Sequence, residues 1–207
     1  MQKRNSFSRG SKNPIKKRAV GIIKPQKILI VSEGTQTEKN YFESFRVNQL
    51  DIHVYGEGAN TVSLVRRAIT YKDVAKSKNN PYTYAWVVFD RDSFPKENVE
   101  YAFELAREND INCAFSNEAF ELWYLLHFDY RDTGMCRDEY KNALTRKLKF
   151  KYEKNSLKIF NALLPHLDTA LKHANKLAQS YNQNDKYSDR NPYTSVHKLV
   201  ELLIQHS

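Results

Sequence analysis

No stretch of this 207-residue sequence approaches the roughly 18 consecutive apolar residues of a membrane helix, so no spanning helix is expected. No apolar stretch follows the basic N-terminus, so no signal peptide is expected either. Cysteine is scarce. Cys113 and Cys136 lie far apart and make no metal-ligand spacing, which reads as two thiols of a cytosolic (cytoplasmic) protein rather than a disulfide. There is no G-x-x-x-x-G-K-[ST] phosphate loop, so the chain should not hydrolyse ATP, and any use of ATP falls to a partner. Acid is missing from residues 1–27, which hold nine Lys or Arg. Taking those nine from the 33 basic residues leaves 24, matching the 24 acids, so the net charge of +9 belongs wholly to this segment.

That segment, with its Ser, Gly, Asn and Pro and no apolar periodicity, reads as an arm (residues 1–26) that orders only on a partner. A basic arm can hold a phosphate backbone without reading bases. A solvated tail, or one that docks on an acidic protein, fits equally. Beyond it, short apolar runs alternate with helical periods. Strands are expected over 27–32, 51–58, 82–90 and 111–116. Helices are expected over 35–47, 61–78, from 95 onward, and over 117–128. This βαβαβαβα order predicts an α/β core (27–130) with a parallel four-stranded sheet flanked by helices. From about residue 131 to 207 the pattern turns helical, with helices over 157–181 and 195–205, and reads as an extension packed on the core.

In an open parallel sheet, ligands bind outside the carboxyl ends of the strands. Glu33 follows the first strand here. Asp90 and Asp92 end the third, in "FDRDSF". Asn117, Glu118 and Glu121 follow the fourth. Two aspartates one residue apart point to one side of an extended segment and repel each other. A divalent cation is the simplest way to hold several such carboxylates ionised, and all-oxygen ligation suits Mg²⁺ or Mn²⁺. The competing reading is ordinary: acids collect at strand ends and in the first turns of helices, where the dipole favours them.

Four stretches, "ILIVSEGTQTEKNYFESF", "VVFDRDSF", "SNEAFELWYLLHF" and "NPYTSVHKLVELL", resemble the RloB family. Its members are bacterial proteins often encoded beside an AAA/ABC-type ATPase in restriction or phage-defence loci. The Glu33-Gly and Asp90-x-Asp92 pair also resembles the TOPRIM domain, a Rossmann-like module of topoisomerases, primases and certain nucleases. The resemblance implies a metal-dependent nuclease acting on DNA or RNA, tRNA among them, under the control of a neighbouring RloA-like ATPase. It assigns Glu33, Asp90, Asp92 and Glu121 to catalysis and to Mg²⁺ (or Mn²⁺). Glu38 would stand one step back from the metal or serve as a helix-start charge. The third acid of the TOPRIM motif is missing at Ser93–Phe94, and Glu121 would replace it. Glu118 stands where the family has Pro. It reads as a helix N-terminal acid in preference to an extra ligand, and would share a helix face with Glu121.

Remaining candidates divide between binding and structure. Arg137, Lys141, Arg146, Lys147, Lys149 and Lys151 would form a nucleic-acid platform, with Tyr140, Phe150 and Tyr152 interleaved for stacking. A solvated helix face fits any single one as well. Asn117 would cap the helix after it or orient a ligand, the cap being favoured. Arg91 would contact phosphate or form an ion pair. His127 reads as a satisfied core residue and His197 as a surface one. A different class of function also fits: a non-catalytic adaptor of an ATPase complex. Nucleotidyl transfer is a third reading.

Overall fold

The computed structural model describes residues 25–91 and 95–207. The basic arm, apart from its last two residues, and Asp92 lie outside the described residues. Five strands form one sheet: β1 (Gln26–Ser32), β2 (Leu50–Gly56), β3 (Tyr84–Asp90), β4 (Asn112–Asn117) and β5 (Tyr193–Thr194). Eight α-helices accompany them: α1 (Thr37–Glu43), α2 (Thr61–Ser77), α3 (Lys96–Glu108), α4 (Glu121–Leu125), α5 (Arg137–Leu148), α6 (Lys158–Leu163), α7 (Leu167–Gln179) and α8 (Val196–Gln205).

The strand order is β2-β1-β3-β4-β5. The first four strands are parallel and β5 runs antiparallel to β4. The expected four-stranded sheet therefore gains a fifth strand. It was not legible because two residues carry no alternation to read. It also means that residues 131–207 are not purely helical.

Strand alternation decides which layer each side chain joins. Ile28, Ile30, Trp86 and Val88 pack with Phe42 of α1, Leu122 of α4, Leu144 of α5 and Leu199 of α8. Their neighbours Leu29, Val31, Val87 and Phe89 pack on the other face with Leu64 of α2 and Val99 of α3. Each fully buried Leu, Ile or Phe contributes about 1.5–3 kcal/mol of apolar burial. The late helices share a core with β1 and β3, and this common core fixes residues after 131 against the site.

Several helix expectations are corrected. Asn60 caps α2, its Oδ1 accepting from the Ser63 amide at 3.1 Å. The helix expected over 117–128 shrinks to the five residues of α4. The one expected over 157–181 breaks into α6, a 3₁₀ turn at Leu164–His166 and α7. Pro165 accounts for the break, since it cannot donate the helical hydrogen bond. His197, expected at the surface, is 1% exposed because α8 is covered on more than its apolar stripe.

Candidate functional site

The chain leaves β1 toward β2 on one side of the sheet, and β3 lies on the other side. That reversal opens a crevice at the carboxyl ends of β1 and β3, the place where open α/β sheets bind ligands. Glu33 is the first residue after β1 and Asp90 the last residue of β3. The two meet: the Asp90 amide donates to Glu33 Oε2 at 3.4 Å. The Glu33 amide in turn donates to the Val88 carbonyl at 2.9 Å.

Asp90 is 8% exposed. Its Oδ1 is buried with no hydrogen-bond partner among the described residues, while Oδ2 lies 3.6 Å from Arg137 Nη2. Burial raises the Asp90 pKa well above the ordinary carboxylate value. The charges of Glu38, Glu121 and Glu33 add to the rise, and Arg137 opposes it. An unpartnered, buried carboxylate ringed by others is costly to the fold, which marks functional sites more often than structural ones.

Glu38 proves closer to Asp90 than the sequence suggested. It lies in the first turn of α1, 6% exposed, and is the first-named carboxylate acting on Asp90. Its own pKa is raised by burial first and by Glu121, with Lys154 and Arg137 opposing. Glu38 folds over the turn after β1. A Cβ on Gly34 would stand 1.7 Å from Glu38 Oε2, so the Glu33-Gly34 pair leaves room for the second acid. A Cβ on Gly56 would instead meet backbone, 2.8 Å from Thr35 Cα and 2.9 Å from the Gly34 carbonyl. Gly56→Ala is therefore expected to cost about 1–3 kcal/mol in urea unfolding, as an overpacked backbone contact does. Gly34→Ala should cost less than about 1 kcal/mol, because a side-chain tip can swing aside. Equal costs would show the Glu38 carboxylate to be held rigidly.

Glu121 opens α4 and is 3% exposed. The Tyr152 hydroxyl donates to its Oε1 at 3.0 Å, and Lys154 Nζ lies 3.7 Å from the same atom. Burial raises the Tyr152 pKa, with Glu121 next in effect. The Thr37 hydroxyl donates to the Lys154 carbonyl at 3.2 Å, which ties the loop after α5 to the start of α1. Sequence reading missed Lys154 and mistook Tyr152.

Other expected residues fall elsewhere. The Asn117 amide nitrogen donates to the carbonyls of Arg190 at 2.6 Å and Ser188 at 3.4 Å, so Asn117 ends β4 and caps no helix. Glu118 precedes α4 and shares no helix face with Glu121. It acts on Tyr140, whose pKa is raised by burial first and by Glu118 next. Tyr140 and Tyr152 are buried and cannot stack on bases. Lys141 pairs with Asp138 at 3.0 Å, Lys147 with Asp129 at 2.8 Å and Lys151 with Glu153 at 3.3 Å. Such exposed pairs are weak and leave these lysines able to exchange partners. Arg146 and Lys149 are exposed, whereas Arg137 faces Asp90. The Arg91 amide donates to the Ser116 carbonyl at 2.9 Å.

As donors for a hard divalent cation these residues fit in type, being all oxygen, and Asp90 Oδ1 fits in having no other partner. In placement they fall short, since among the described residues no three acidic, histidine or cysteine side chains come together as a ready metal site. Cys113 and Cys136 are both free. Among the described residues no helix is long and apolar enough to cross a membrane.

The family model described as RloB-like protein matches residues 28–203. No curated protein and no solved structure matches the chain.

Proposed function

The chain belongs to the RloB-like family, and from that premise we propose that it is a metal-dependent, TOPRIM-like nuclease. Its substrate would be DNA or RNA, with tRNA among the candidates, its setting phage defence, and its control an RloA-like AAA/ABC-type ATPase. The observation that carries the reading is the gathering of Glu33, Glu38, Asp90 and Glu121 at one sheet crevice, with the Asp90 carboxylate buried and half unpartnered. Mg²⁺ or Mn²⁺ held by Glu33, Asp90 and Glu121, together with Asp92, would polarise a phosphodiester and stabilise its leaving oxygen. The chain's own part is to keep those carboxylates apart from bulk water. Tyr152 holds Glu121 in orientation, and Gly34 gives Glu38 room to sit beside Asp90.

One observation favours a second reading, a nucleic-acid-binding or adaptor subunit that cuts nothing. Arg137 and Lys154 already balance part of the acid charge, and the acids do not converge as they stand. Incubating the purified protein with mixed DNA, total RNA and tRNA in Mg²⁺, Mn²⁺ or EDTA separates the two. A nuclease cuts one of these in metal, and loses that cutting but not its fold in Asp90→Ala and Glu33→Ala. An adaptor cuts nothing even with the ATPase and ATP added, and keeps its biological effect in both variants. Product lengthening with added nucleotides would instead mark nucleotidyl transfer.

A further inference from the structure

Glu33, Glu38, Asp90 and Glu121 form an anionic pocket that an anionic substrate must approach. Two cations stand against them, and both come from beyond residue 130 rather than from the parallel strands and their helices. Arg137 opens α5 and Lys154 lies in the loop before α6. Four carboxylates against two cations leave the pocket formally negative by two, so a phosphodiester is repelled unless a cation meets it first.

Lys154 is built for that position. Its backbone is anchored by the Thr37 hydroxyl. Its side chain is 50% exposed, whereas the side chain of Glu121, which it faces, is 4% exposed. The ammonium thus sits at the boundary between buried acid and solvent. Its separation of 3.7 Å from Glu121 Oε1 is longer than the roughly 2.7–2.9 Å of a close charge-assisted bond. Arg137 stands similarly, 3.6 Å from Asp90 Oδ2 with a side chain 32% exposed. Loose pairs at a half-exposed mouth are worth little to stability and exchange partners readily.

We propose that Lys154, with Arg137 beside it, is the cation that receives the substrate's phosphate at the mouth of the carboxylate pocket. The inference rests on the nucleic-acid reading above and adds the residues that face the phosphate.

The test is oligonucleotide binding by the full chain in EDTA, where no cutting occurs, over a salt series. Each phosphate contact on a single strand contributes about 0.7 to the slope of log affinity against log salt. Lys154→Met should lower the slope by about that amount and Lys154→Arg should restore it. In metal, Lys154→Met should also cut kcat/KM about tenfold, while Lys158→Met, on the exposed face of α6, leaves kcat unchanged. Melting temperature should be the same in all forms, because Lys154 is half exposed. An unchanged slope in Lys154→Met overturns the proposal, as does the absence of any oligonucleotide binding. Asp90-dependent cutting that ignores Lys154→Met overturns the proposal and leaves the nuclease reading standing. A lowered slope in a protein that never cuts supports the proposal and fails the nuclease reading.

Discussion

Asp90→Asn is expected to make the protein more stable and, if the site cuts phosphodiesters, inactive. The substitution keeps the shape of the side chain and removes one charge. In the native protein that charge is disfavoured by burial and by Glu38, Glu121 and Glu33, against which Arg137 is the main relief. An ionised group whose native pKa lies above its unfolded value weakens the fold at every pH above that native pKa. Removing it in EDTA should raise stability by about 1 kcal/mol, the usual scale for relieving a functional-site conflict. For a chain of this length that is about 2–4 °C in melting temperature. The gain is limited because Arg137 loses its ionic partner. Activity should fall at least about 100-fold, since the group lost is the one nearest the centre of the site. Melting curves and cleavage rates on the same two preparations check both halves. A variant that is less stable and still active would make Asp90 an ordinary structural anchor for Arg137.

Much of this site was readable from residue order because a parallel strand announces both its own end and its direction. "ILIVS" followed by Glu33, and "WVVF" followed by Asp90, place two acids at the carboxyl ends of their strands wherever the strands lie. Alternation of strands and helices makes those ends share an edge. Glu121 was readable for the same reason, one turn beyond β4. The environment of these acids was not readable. Tyr152 meets Glu121 across 31 residues of sequence, and only the docking of α5 and its following loop brings them together. Local pattern made Tyr152 look like an exposed ring between lysines, because a basic stretch carries no sign of which side faces inward. Lys154 had no signal at all, being one of eight basic residues between 137 and 158. Glu38 was placed too far out. The missing cue was Gly34, whose lack of a side chain admits the carboxylate. Asn117 and His197 erred alike. Each sits at an element end where a cap or a wet face is the local default, and each is buried by chain from the other half of the sequence.

Acid should destabilise the protein chiefly through two buried histidines. His127 is 1% exposed, and its Nδ1–H donates to the Trp123 carbonyl at 3.0 Å, leaving Nε2 buried without a partner. Burial lowers its pKa to about 4, with the hydrogen bond to Trp123 opposing. His197 is likewise 1% exposed, and burial lowers it to about 4, with Glu201 opposing. A depressed native pKa means that the unfolded chain takes up the proton first. The stability each neutral imidazole contributes is whole above the unfolded value of about 6.5 and drains as pH falls through 4. Each should cost about 2 kcal/mol at pH 5, and the pair is a large share of the 5–15 kcal/mol a domain has. Asp90 and Glu38 act in the opposite sense. Their raised pKa values make the fold take up protons before the unfolded chain does, so acid relieves their conflict over part of the same range. The wild-type curve is the difference of the two effects. Two variants separate them under urea at pH 7 and pH 5. In His127→Gln/His197→Gln the loss on acidification should shrink by about 4 kcal/mol, whatever the baseline at pH 7. In Asp90→Asn the loss should grow, because one compensating group is gone. Parallel losses in wild type and the double histidine variant would mean that both imidazoles are charged in the native state, and with that the burial argument for them would fail.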